Sequence, residues 1–241
     1  MTERLSTFLL YHADVNHFSF VRDMSRHLAS VLEEQESYTG QTCTIDCVNS
    51  REMCCLQYGI VVCGQYDPHA NSVCVWVDKC LDFAHVMETV LHETMHAITV
   101  CHAEFYWASC ENGFNVFFRN LIAYKQIFIH SDQTLTEFVA YAYSDKHVMR
   151  RLCEIPFHLV HLVKDIPEKM QSRVNNVYRI LCDYCGGDVT CQENGLYATV
   201  FFIEQGLDKN ATWLKNKCKI MKAPKLKPIK STQTLTAYVL I

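Results

Sequence analysis

Glycine and proline are scarce in this chain, at 8 and 5 of 241 residues. Turn formers at that density do not support the many short strands of a β-sandwich, so the balance shifts toward helices with a small sheet. No apolar run reaches the roughly 18 residues a membrane helix needs before a charge interrupts it. The segment MTERLSTFLLYHADVNHF lacks a basic region followed by a long apolar stretch. These absences lead to the expectation of a cytoplasmic, unsecreted protein without a membrane span. With 49% hydrophobic and 20% charged residues, the chain is neither disordered nor fibrous and can bury a sizeable core.

What the chain has in quantity is cysteine and histidine, 14 and 12 residues. Cys54 beside Cys55, and single cysteines such as Cys101, Cys110, Cys153 and Cys218 inside amphipathic segments, do not form the spacing of a small disulfide scaffold. They are expected to be reduced thiols packed as small hydrophobes. Charge is unevenly placed. The run Lys209–Lys230 holds eight lysines and no acid, which leaves 14 basic against 26 acidic residues elsewhere and a body of charge -12. The expected organisation is therefore a domain over 1–208 and a basic extension over 209–241. That extension can fold back on the acidic body or meet a polyanion or an acidic partner. Its end, TLTAYVLI, has the alternation of a strand.

Periodicity gives a coarse order of elements. Phe18, Phe20, Val21, Met24, Leu28, Val31 and Leu32 mark a helix over 17–35. Leu56–Cys63 and Val73–Val77 are β-rich and flank the turn-forming GQYDPHANS, which predicts a hairpin. A helix over 81–101 follows, with Asp82 as its cap. Further helical patterns run over 105–127, 133–153, 157–164, 168–184 and 194–206.

The chemistry lies in the helix over 81–101, which reads VLHETMHAITVCH from Val90 onward. His92 and His96 are four residues apart and project from one helical face, with Glu93 beside them. Two neutral imidazoles in this HExxH spacing bind Zn²⁺ at about 2.0 to 2.1 Å, and the adjacent Glu acts as general base without ligating the ion. A hairpin that leads into such a helix is the arrangement of zincin peptidases, where an edge strand holds an extended substrate beside the metal.

A third protein ligand is required, and two residues offer one. His102 completes the metzincin spacing HExxHxxxxxH, but Thr99 stands where that pattern has a glycine. In a continuous helix His102 lies about 80° around from His92. Glu137, in TLTEFVAYAYSDKHVMRRL, would come from a second helix packed on the first. HETMHA followed about forty residues later by TEFVAYAYSD resembles the gluzincin-type HExxH domains of phages and mobile elements. The resemblance covers residues 85–153. It implies an α+β, zincin-like fold, mostly helical with a small sheet ahead of the HExxH helix. It also implies a zinc metallopeptidase acting on a peptide or protein substrate, with ligands His92, His96 and Glu137 and general base Glu93.

Tyr141, Tyr143 and His147 are near enough in sequence to donate to an oxyanion. Cys182, Cys185 and Cys191, in CDYCGGDVTC, form a CxxC knuckle that could be half of a structural zinc site completed by Cys153, Cys218 or a histidine. His158 and His161 lie on the apolar segment FHLVHLV and are expected to be packed histidines. The alternatives to the gluzincin-like enzyme are a metzincin-like enzyme using His102 and a silent HExxH scaffold that binds protein or nucleic acid.

Overall fold

The structure is a computed structural model that describes residues 2–49, 56–57, 60–100, 135–156 and 167–222. Its element order is β1 (Glu3–Arg4), α1 (Leu5–Val15), α2 (Ser19–Thr39), β2 (Thr44–Val48), β3 (Leu56–Gln57), β4 (Ile60–Val61), β5 (Gly64–Asp67) and β6 (Ser72–Trp76). A 3-10 turn (Val77–Lys79) then leads to α3 (Phe83–Val100), α4 (Leu135–Ser144), α5 (Lys146–Glu154), α6 (Glu168–Cys185) and α7 (Gly195–Lys222). The architecture is α+β, mostly helical with a small four-stranded sheet.

That sheet has the order β1-β2-β6-β5. β6 is its centre of order: it runs parallel to β2 in the register Ile45↔Val73 and Cys47↔Val75, and antiparallel to β5 in the register Tyr66↔Val73 and Gly64↔Val75. Val73 and Val75 alternate with Ser72, Cys74 and Trp76, so one face of β6 is buried beneath the helices and the other is half-buried. β5 is the outermost strand beside β6 among the described residues.

α2 forms because Phe20, Val21, Met24, Leu28 and Leu32 recur on one face, all of them buried. It stops at Gly40, whose φ of 69° is the left-handed conformation a helix C-terminus favours and whose N–H donates to the Glu36 carbonyl at 2.8 Å. The Glu36 side chain accepts from Arg4 Nε at 2.9 Å and from the Cys43 N–H at 3.0 Å, which ties the end of α2 to β1 and to the residue before β2. α3 is packed between α2, the strands β5 and β6, and α4. A buried carboxylate joins the remaining helices. Glu204 of α7 meets His27 of α2 at 3.0 Å and Arg173 Nε of α6 at 2.8 Å, and accepts the Tyr143 hydroxyl of α4 at 2.7 Å.

Several boundaries differ from the sequence expectation. The strand that pairs antiparallel with β6 is Gly64–Asp67, inside the stretch expected to form the turn, whereas the expected first strand supplies β3 and β4, which pair with each other. The turn is confined to residues 68–71, where Asp67 Oδ1 accepts from the His69 and Ala70 N–H groups and Asn71 takes a φ of 49°. The expected helix over 133–153 is two helices, because the Asp145 carboxylate caps α5 by accepting from the His147 and Val148 N–H groups. α7 is longer than expected and passes through Asp208 without a break; Asn210 and Leu214 beyond it are buried. α1 and the parallel pairing of β2 with β6 had no counterpart in the periodicity.

The expected helix over 105–127, His102, His158, His161 and the C-terminal strand 234–241 lie outside the described residues. No helix of the described residues is long and apolar enough to cross a membrane.

Candidate metal centre

Asp82 starts α3 by accepting the His85 N–H at 2.9 Å, the N-cap expected from the sequence. From that start Met87, Val90, Leu91 and Ile98 turn into the core, fully buried. The opposite side of the helix presents Thr89, His92, Glu93 and His96 toward β5 and α4, so the helix is buried on both sides but polar on one.

His92 Nε2 and His96 Nε2 are 3.1 Å apart. Glu137, in the first turn of α4, places Oε2 at 3.3 Å from the first of these nitrogens and Oε1 at 3.3 Å from the second. Donor atoms bound to one Zn²⁺ at about 2.0 to 2.1 Å in tetrahedral geometry are separated by ~3.3 Å. Each imidazole nitrogen therefore stands near that separation from the other and from one oxygen of the Glu137 carboxylate.

The orientation of His92 fits the same role. Ser144, at the end of α4, donates its hydroxyl proton to the Ala140 carbonyl at 2.8 Å, so its oxygen faces His92 Nδ1 at 3.4 Å as an acceptor. His92 then holds its proton on Nδ1 and presents a lone pair at Nε2, the tautomer a metal ligand requires. Sequence reasoning missed Ser144; its only local signal is its place seven residues after Glu137, on the same face of α4.

The electrostatics follow from burial and proximity. Burial acts to raise the Glu137 carboxyl pKa, but the interactions with the adjacent His92 and His96 rings outweigh it and hold the group well below the usual carboxylate range. For His96, burial works against the charged ring, and the Glu137 carboxylate reverses it and pushes the pKa up. Glu93 is only 7% exposed. Its pKa is raised, chiefly by burial, with the Tyr66 backbone N–H and the two imidazoles acting in the other direction.

Glu93 is pressed against the outer strand of the sheet. At Gly64 a Cβ would stand 3.0 Å from Glu93 Cγ and 2.7 Å from Thr89 Cγ2, so only glycine lets β5 approach this close. The wall of the site is therefore backbone, with the carboxylate of Glu93 directed along it to the Tyr66 N–H.

Of the three oxyanion candidates, Tyr141 alone borders the trio, with its ring 4.6 Å from that of His92. Tyr143 is fully buried and gives its hydroxyl proton to Glu204. His147 is exposed in the first turn of α5. At the CxxC knuckle, Cys182 and Cys185 are buried, Cys191 is exposed, and the Cys153 thiol lies 3.7 Å from that of Cys185. Among the described residues, two trios of ligand atoms lie mutually within 4.8 Å: His92, His96 and Glu137, and a second composed of Cys63, Cys80 and His85. The knuckle is not one of them. Comparisons with protein-family models, curated proteins and solved structures gave no match.

Proposed function

We propose that the protein is a zinc-dependent metallopeptidase of gluzincin type, with His92, His96 and Glu137 as ligands and Glu93 as general base. The observation that supports this reading is the 3.1 to 3.3 Å spacing of the three donor groups beside a buried Glu93. The donor set, two neutral imidazoles and one carboxylate, suits Zn²⁺ and leaves one coordination position for chemistry. When bound, the ion supplies Lewis acidity toward a carbonyl and a water molecule.

The remaining work falls to the chain. Glu93 takes the proton of the attacking water and delivers it to the leaving amine. Its placement against Gly64 and Tyr66 puts that proton transfer next to β5. An extended peptide can add to the outer edge of β5 through main-chain hydrogen bonds, which holds a scissile bond beside the trio. Tyr141, against His92, is positioned to donate to the developing oxyanion. The order of outer strand, central strand and HExxH helix agrees with a zincin-like fold.

The test is elemental analysis of protein purified without added zinc, followed by assay of Glu93→Gln on a peptide library. The variant is expected to keep its metal and lose at least about 100-fold in hydrolysis. Cleavage by Glu93→Gln at the wild-type rate would end the peptidase reading.

A further inference from the structure

His85 precedes His92 by seven residues, two helical turns, so it occupies the same side of α3 about 10 Å nearer its start. Two thiols reach it from other elements. Cys63 is the last residue before β5, and Cys80 follows the 3-10 turn that closes β6. The two sulfurs and an imidazole nitrogen lie within 4.8 Å of one another, and all three residues are half-buried. Cys63 Sγ lies 3.5 Å from the Lys79 carbonyl, and Cys80 Sγ lies 3.7 Å from the Trp76 carbonyl and 3.9 Å from Thr89 Oγ1. His85 Nδ1 accepts the Leu81 N–H at 3.1 Å. Leu81 is 90% exposed, so its amide passes to water at little cost when the ring turns to a ligand.

We propose that Cys63, Cys80 and His85 form a second metal site, one that takes Zn²⁺ and clips the chain entering β5 to the first turn of α3. Thiolate and imidazole ligands select a borderline or soft ion over Mg²⁺ or Ca²⁺, which take oxygen. Binding converts two thiols to thiolates and releases two protons, with no change of oxidation state. The clip acts next to Gly64, the residue whose close approach sets β5 against Thr89 and Glu93. The second ion is structural: it fixes the outer strand where the first site needs it.

The test uses the full chain carrying His92→Ala and His96→Ala, so that the first trio cannot hold metal, loaded with Co²⁺. The expected result is one cobalt per chain and a thiolate-to-cobalt charge-transfer band in the near ultraviolet. Both should be lost when Cys63→Ser and Cys80→Ser are added. The first trio contains no sulfur, so the band reports this site whether or not the protein is a peptidase. Absence of stoichiometric cobalt, persistence of the band without Cys63 and Cys80, or a Cys63–Cys80 disulfide in metal-free protein would each overturn the proposal. The unmutated chain gives a second measurement that no folding defect confounds. Zn²⁺ is expected to slow alkylation of Cys63 and Cys80 at least tenfold, reversibly on chelation; equal alkylation rates with and without Zn²⁺ would overturn the assignment.

Discussion

Gly64 lies so close to Glu93 that a Cβ on the glycine would stand 3.0 Å from the Glu93 Cγ, and closer still, 2.7 Å, to the Thr89 methyl. Thr89 cannot rotate that methyl away freely, because its hydroxyl donates to the His85 carbonyl at 2.8 Å. The contact makes the distance between β5 and α3 a property of one residue.

Gly64→Ala is therefore expected to push β5 off α3, with a loss of about 1 to 3 kcal/mol in stability and a fall in hydrolysis while the metal at the first trio stays bound. Thr89→Ser removes the obstructing methyl and keeps the hydroxyl, so the double variant should recover most of both losses. Denaturant melts of the two variants decide the matter; a Gly64→Ala protein as stable as wild type would mean that β5 and α3 are not in this contact.

Ser144 faces His92 Nδ1 at 3.4 Å and lies outside the trio of candidate ligands. Ser144→Ala should weaken zinc about 10- to 100-fold, the usual effect of removing a group that holds a ligand in place. A competition assay against a chromophoric chelator measures it. Unchanged affinity would show that the His92 tautomer is set by something other than this hydroxyl.

Glu137 and His102 make opposite predictions for the third ligand. Glu137→Ala should cost more zinc affinity than Ser144→Ala, because it removes a donor atom and not its support. His102→Ala should change little. The reverse ranking in the same chelator assay would move the third ligand to His102 and favour the metzincin-like alternative.

What the sequence made legible here was local. His92 and His96 share a face because an offset of four is fixed by helix geometry, and Asp82 announces α3 because capping is a matter of three residues. Phe20 to Leu32 show α2 for the same reason. The residues that escaped notice act across the fold. Gly64 reads as a turn former, yet it lies within a strand, because side chains of α3 occupy the space its side chain would need. Ser144 and Tyr143 sit one residue apart on α4, but one serves His92 and the other Glu204, a distinction that only tertiary packing makes. The pairing of β2 with β6 joins residues such as Ile45 and Val73 across an intervening hairpin arm, beyond the reach of any window of periodicity.

Glu204 provides the pH test. It is fully buried, and burial alone would raise its pKa. The charges of His27 and Arg173 and the Tyr143 hydroxyl outweigh burial and leave the pKa lowered. A carboxylate with a depressed folded-state pKa stabilises the fold fully above its unfolded value, about 4.3 for glutamate, and loses that contribution as pH falls through the folded value. Glu204→Gln leaves Arg173 and His27 facing a neutral amide in the interior, which should cost about 3 to 5 kcal/mol at pH 7. The stability difference between wild type and Glu204→Gln should not shrink from pH 7 down to about 5 and should shrink below about 4. Urea titrations at pH 7, 5 and 3 read it directly. A difference that already shrinks between pH 7 and 5 would mean that Glu204 is not held as a carboxylate by its partners, and that α2, α4, α6 and α7 are joined there by packing alone.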